Sequence, residues 1–81
     1  MKKELTVKTA AVYDARALAE MVGIANGYNS RIAIIMDERT INAKSIMGVM
    51  GIGLDQGKQI VIDAEGEDAE AAIKALGDFL S

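Results

Sequence analysis

The chain has 81 residues, 51% of them apolar, which is room for one small domain over 1–81 whose core buries only about 60% of the surface the unfolded chain exposes. It contains no cysteine and no histidine; this excludes a disulfide framework, a thiol nucleophile and a thiolate zinc site, and removes the usual general base, metal ligand and phosphoryl-accepting imidazole. Nine Lys and Arg against twelve Asp and Glu give a net charge of −3, the wrong sign for a general affinity to phosphate backbones.

Hydrophobic period organises the rest. Residues 3 to 9 alternate, with Leu5 and Val7 opposite Glu4, Thr6 and Lys8, which predicts a half-buried strand. From Ala15 to Asn26 the period lengthens: Leu18, Met21, Val22 and Ala25 share one helical face, and Asn26-Gly27 ends that helix. Arg31 to Met36 is a second strand with Ile32, Ile34 and Met36 on one side. Asp37-Glu38-Arg39 supplies a turn, and Thr40 to Asn42 returns as a short third strand. Gln59 to Glu65 alternates again, Ile60, Ile62 and Ala64 opposing Val61 and Asp63. Asp68 to Leu80 carries Ala69, Ala72, Ile73, Leu76, Phe79 and Leu80 at helical spacing behind an acidic first turn, which suits the positive end of a helix dipole. Asp37, Glu38 and the run Glu65-Gly66-Glu67-Asp68 read as solvated turns without chemistry.

Between the third and fourth strands lies Ser45-Ile46-Met47-Gly48-Val49-Met50-Gly51. Serine before good helix formers reads as an N-cap, and Gly51 with Gly53 as a stop, so a helix of two turns or fewer is expected. Its apolar side chains point around most of the circumference, whereas a two-layer domain buries one stripe. Two readings are open: an apolar core turn, or a surface on which exposed methionines adapt to a partner. The element order β-α-β-β-α-β-α predicts an α+β, open-faced β-sandwich, with a four-stranded, largely antiparallel sheet and three helices on one face.

Two tyrosines and one phenylalanine are too few for a base-stacking platform, so no direct nucleic-acid partner is expected. No apolar run has the length of a membrane span, and Met1-Lys2-Lys3-Glu4 lacks the apolar segment of a secretion signal. A cytoplasmic chain without membrane association is expected, and no metal or other cofactor.

The run Asn42-Ala43-Lys44-Ser45-Ile46-Met47-Gly48-Val49-Met50 resembles the regulatory-serine motif of the HPr family of the bacterial sugar phosphotransferase system, including its catabolite-repression branch, Crh. Element order, length, Gly57 before the last strand and the Glu65-Gly66-Glu67-Asp68 lead-in extend the resemblance over nearly the whole chain. The resemblance implies an HPr-like fold and phosphorylation of Ser45 by an ATP-dependent HPr kinase/phosphorylase. It further implies binding of the modified chain to a catabolite control transcription regulator through the short helix. On its own residues Ser45 is first a helix cap, and a phosphate there is compatible with that place. Ile46, Met47 and Met50 would be the apolar contact surface.

The family's other motif departs. Val12-Tyr13-Asp14-Ala15-Arg16-Ala17-Leu18 stands where the family carries Gly-Ile/Leu-His-Ala-Arg-Pro-Ala, so Asp14 replaces the phosphoryl-accepting histidine and only Ala15 and Arg16 are kept. A phosphohistidine relay is chemically unavailable, and the Crh branch also lacks that histidine. Asp14 has three readings: an N-cap for the first helix, a permanent negative charge with about half that of a phosphate, or an acceptor forming an acyl phosphate. Arg16 is either a solvated helix residue or, as the resemblance implies, a group that helps hold phosphate or an acidic partner. The expected function is that of a non-enzymatic regulatory protein with Ser45 as its switch and no catalytic residues. The alternative is a phosphocarrier-type protein that binds enzyme I or sugar transporter components, with Asp14 as acceptor or mimic.

Overall fold

A computed structural model describes residues 1–8, 15–52 and 56–80. In chain order the elements are β1 (Lys2–Thr6), α1 (Ala15–Asn26), β2 (Arg31–Met36), β3 (Arg39–Asn42), α2 (Ile46–Ile52), β4 (Gln59–Glu65) and α3 (Ala69–Leu80). The strands form one sheet in the order β1-β4-β2-β3, and every neighbouring pair is antiparallel. This is the expected open-faced sandwich, with the sheet wholly antiparallel.

Strict alternation produces its two faces, because successive strand residues point to opposite sides. Ile32, Ile34 and Met36 of β2 and Ile60, Ile62 and Ala64 of β4 are buried, and the register pairs Ile34 with Ile62 and Ile32 with Ala64. The opposite face aligns Glu4 with Val61 and Lys2 with Asp63, and Val61 with Ile35; it is the solvated side. Onto the inner face α1 lowers Leu18, Met21, Val22 and Ala25, and α3 lowers Ala72, Ile73, Leu76 and Leu80. The i, i+3, i+4, i+7 spacing thus becomes the helical half of the core.

Boundaries differ from expectation where local hydrogen bonding decides. The first strand stops at Thr6 because Val7 turns its polar groups to the loop before β4: its N–H donates to Lys58 O (2.9 Å), and its carbonyl accepts from Gly57 N–H (2.7 Å). Residue 9, the expected end of that strand, lies outside the described residues, as do Tyr13 and Gly53. Arg39 belongs to the strand, paired with Met36, so the hairpin loop is only Asp37 and Glu38. Both carry positive φ, 49° and 69°, the signature of the type I′ turn that matches strand twist. Gly51 lies inside α2 and is not its stop.

In the acidic lead-in to α3, Glu65, Gly66 and Glu67 are exposed, as a solvated turn would be, and only Asp68 departs from that expectation. The Asp68 carbonyl accepts the first helical bond from Ala72 N–H (2.9 Å), so Asp68 caps α3, while its carboxylate reaches across to the α1–β2 connection. It accepts from Asn29 N–H (2.8 Å), from Ser30 N–H (2.9 Å) and from the Ser30 hydroxyl. These donors, the Ser30 hydroxyl first and Asn29 N–H next, hold the Asp68 carboxyl below its ordinary value of 3.8 against the desolvation that opposes them. Gly66 makes the approach possible: at φ 146°, a Cβ there would stand 2.6 Å from Ser30 Oγ and 2.7 Å from Ser30 Cα. Ser30 is itself fully buried. The N-terminus of α3 is thereby fixed to the segment that follows α1.

Candidate functional site

The β3–α2 corner is built from the strand outward. Ala43 is fully buried and donates its N–H to Ile32 O (3.0 Å), anchoring the chain as it leaves the sheet. Asn42 then shapes the turn: its side-chain oxygen accepts from Lys44 N–H (2.9 Å) and its carbonyl from Ser45 N–H (3.1 Å), an Asx-type arrangement. Ser45 follows as the N-cap of α2. Its carbonyl accepts from Val49 N–H (3.0 Å) and its Oγ from Gly48 N–H (3.3 Å), so one otherwise orphaned helix donor is satisfied. Ser45 is half-buried.

The rotation of α2 resolves the two readings of its apolar composition. Val49 is fully buried and anchors the helix, and Ile46 is half-buried and packs against the core. Met47 is 82% exposed and Met50 53% exposed. Being three apart, they share one face that looks away from the core. Of the three expected contact residues, Met47 and Met50 form an outward apolar face, and Ile46 borders it while serving the core.

The surroundings of Ser45 come from α1. Asn26 Nδ2 donates to Val22 O (2.9 Å) within its own helix and to Lys44 O (3.2 Å), so the C-terminal end of α1 lies against the N-terminal approach to α2. Gly27 N–H closes on Ile24 O (3.1 Å), a tightened i→i+3 ending. The Lys44 ammonium donates to Tyr28 O (2.7 Å), just beyond the helix. Arg16 is exposed in the first turn of α1, ten residues before Asn26, which is about 15 Å along the axis. The fold therefore brings Ser45 together with Lys44 and Asn26 at the corner where α2 begins, sets Met47 and Met50 on the outer face of that helix, and places Arg16 in the first turn of α1. Asp14 lies outside the described residues.

Reading the sequence missed three participants. Lys44 lies inside the motif, but nothing in its spacing announces that its ammonium crosses to Tyr28. Asn26 looks like a helix terminator, and its second role depends on a neighbour eighteen positions away. The Asp68–Ser30 contact joins residues thirty-eight apart, for which a single sequence carries no signal beyond the glycine at 66. Among the described residues there is no group of three or more His, Cys, Asp or Glu able to hold a metal ion, and no helix long and apolar enough to cross a membrane.

The comparisons with known proteins agree with this geometry. The family described as "PTS HPr component phosphorylation site" matches residues 1–81. An HPr-like protein Crh from Halalkalibacterium halodurans is 38% identical over 80 residues, covering 99% of this chain and 95% of that protein. A phosphocarrier protein HPr from Lysinibacillus sphaericus is 40% identical over 67 residues, covering 83% and 76%. The crystal structure of a phosphocarrier protein HPr from Bacillus anthracis superposes with a TM-score of 0.95 at 38% identity, covering 100% of this chain and 96% of that one. With a match along the full length and a fold that agrees element by element, the chain belongs to the HPr family of the phosphotransferase system.

Proposed function

We propose that this chain is a non-enzymatic, cytoplasmic regulatory member of its family. An HPr kinase/phosphorylase transfers the γ-phosphoryl group of ATP to Ser45 Oγ; the new O–P bond replaces the one to ADP, and the hydroxyl proton is released. The modified chain then binds a catabolite control transcription regulator, with Met47 and Met50 as apolar anchors and the phosphate as the charge that a partner Arg or Lys reads. The observation that carries this reading is the corner itself: a half-buried serine at a helix cap beside two outward methionines. The absence of histidine supports it from the other side, since the phosphohistidine relay has no acceptor.

Intact mass is the test. Incubation with ATP and HPr kinase should add about 80 Da, lost in Ser45→Ala and kept in Asp14→Asn. No gain under that condition overturns the reading. A gain that instead requires phosphoenolpyruvate and enzyme I, and is lost in Asp14→Asn, replaces it with a phosphocarrier-type function.

A further inference from the structure

Lys44 stands immediately before Ser45, and each of its polar groups is engaged. Its N–H is held by Asn42 Oδ1 (2.9 Å), its carbonyl by Asn26 Nδ2 (3.2 Å), and its ammonium donates to Tyr28 O (2.7 Å). The last bond ties the β3–α2 corner to the segment leaving α1, and the positive charge suits the C-terminal end of that helix. A carbonyl dipole nevertheless offers an ammonium less than an anion does, because it lacks the Coulomb attraction between full charges. Adjacent Cα atoms are about 3.8 Å apart, and lysine carries its three donors on a flexible four-carbon stem. A dianionic phosphate on Ser45 therefore falls within reach of the Lys44 ammonium and outbids Tyr28 O for it.

We infer that Lys44 is a transfer element: on phosphorylation of Ser45 its ammonium leaves the Tyr28 carbonyl for the phosphate, releasing the exit of α1. The inference rests on the Ser45 reading above and deepens it, by naming what the phosphate does within its own chain. The structure also sets how far the release extends. The N–H groups of Gly27 and Tyr28 donate to Ile24 O (3.1 Å) and Ala25 O (3.3 Å) and the Tyr28 side chain packs against the core, so it is the backbone at these two residues that leans on the Lys44 contact. Asn29 and Ser30 are held independently by the Asp68 carboxylate, which confines the loosening to the two residues before them.

The experiment uses full-length protein with phosphoserine installed at position 45 by chemical synthesis, so that no kinase is needed. Amide hydrogen exchange of Gly27 and Tyr28 should become about three- to tenfold faster in the phosphorylated chain, while Asn29 and Ser30 stay within about twofold. In Lys44→Met both forms should exchange fast at Gly27 and Tyr28, with no further change on phosphorylation. The second ionisation of the phosphoserine, followed by phosphorus NMR, should shift to higher pH in Lys44→Met. Equal exchange at Gly27 and Tyr28 with and without phosphate overturns the inference, and so does a phosphate ionisation unaffected by Lys44→Met. The first comparison needs no variant, so a poorly folded Lys44→Met leaves the test decisive. Failure of the kinase to modify the natural chain would sink the functional reading alone, since the synthetic phosphoprotein reports on Lys44 separately.

Discussion

Met47→Ala should separate partner binding from folding, and Val49→Ala should do the reverse. Fully burying a methionine side chain is worth about 1.5–3 kcal/mol. With 82% of Met47 still exposed in the free chain, about 1.2–2.5 kcal/mol of that remains to be gained against a partner. At about 1.4 kcal/mol per decade this corresponds to about 7- to 60-fold in Kd, an upper bound because alanine keeps the Cβ. The same change should move stability by less than about 0.5 kcal/mol, since the side chain packs little and alanine is the better helix former. Val49 is fully buried in the core, so Val49→Ala should cost about 2 kcal/mol, a fall in Tm of about 8–16 °C for a domain this size. Its Kd should stay within about twofold below that transition. Calorimetric titration of the Ser45-phosphorylated chains into the catabolite control regulator gives the first quantity, and urea unfolding followed by helical circular dichroism gives the second. If Met47→Ala binds within twofold of the parent, the outer face of α2 is not the contact surface. A loss of stability from Met47→Ala equal to that from Val49→Ala would mean the rotation of the helix is misassigned.

Three further outcomes test the frame that holds this corner. Gly66→Ala should destabilise by about 2–5 kcal/mol in urea unfolding, combining an unfavourable backbone conformation with overpacking, because its Cβ meets Ser30 Oγ and Cα within 2.7 Å; a change below about 0.5 kcal/mol contradicts the close approach. Asp68 has a depressed ionisation in the folded chain, so its contribution is fully present above 3.8, its ordinary value, and is lost as pH falls through the lowered folded value. Asp68→Asn should therefore show a shallower fall of stability with acid, and parallel acid-unfolding curves for the two proteins would refute the carboxylate's role. Glu38→Gly should stabilise by about 0.5 kcal/mol, as Asp-Gly is a favoured type I′ pair and Glu38 carries a φ of 69°; thermal unfolding that shows no gain argues against the two-residue turn.

What the sequence revealed of this fold is what period and local chemistry encode. Ile32, Ile34 and Met36 alternate, and Leu18, Met21, Val22 and Ala25 recur at helical spacing, so strand and helix faces are legible from period alone, along with the cap at Ser45. The hairpin boundary was less so: Asp37-Glu38 lacks the glycine that usually marks a type I′ turn, which made Arg39 look like loop until its pairing with Met36 put it in the strand. The orientation of α2 was ambiguous for a different reason. Four apolar side chains in the seven residues from Ser45 to Gly51 define no stripe, and only docking against β3 and α1 decides that Val49 goes in and Met47 stays out. Long-range polar contacts were silent altogether. Asp68 with Ser30, and Lys44 with Tyr28, join ordinary surface residue types whose meeting is a product of topology.

The weakness of α2 as a helix bears on the switch proposed at Ser45. Seven residues fall short of the length at which an isolated helix is stable in water, and Gly48 and Gly51 each cost about 1 kcal/mol relative to alanine. The helix persists because Ala43 and Val49 are buried at either side of its first turn and Ser45 caps it. Its outer face is thus presented by a few contacts around one serine, and little internal stability of its own resists a change there. Ala43 and Val49 join the one core otherwise supplied by the sheet, α1 and α3, and the Asp68 contacts hold the far side of the α1–β2 connection. On the proposed reading, a charge added at Ser45 acts on the display of Met47 and Met50 and on the exit of α1, where few contacts resist it, while most of the core lies in the sheet, α1 and α3.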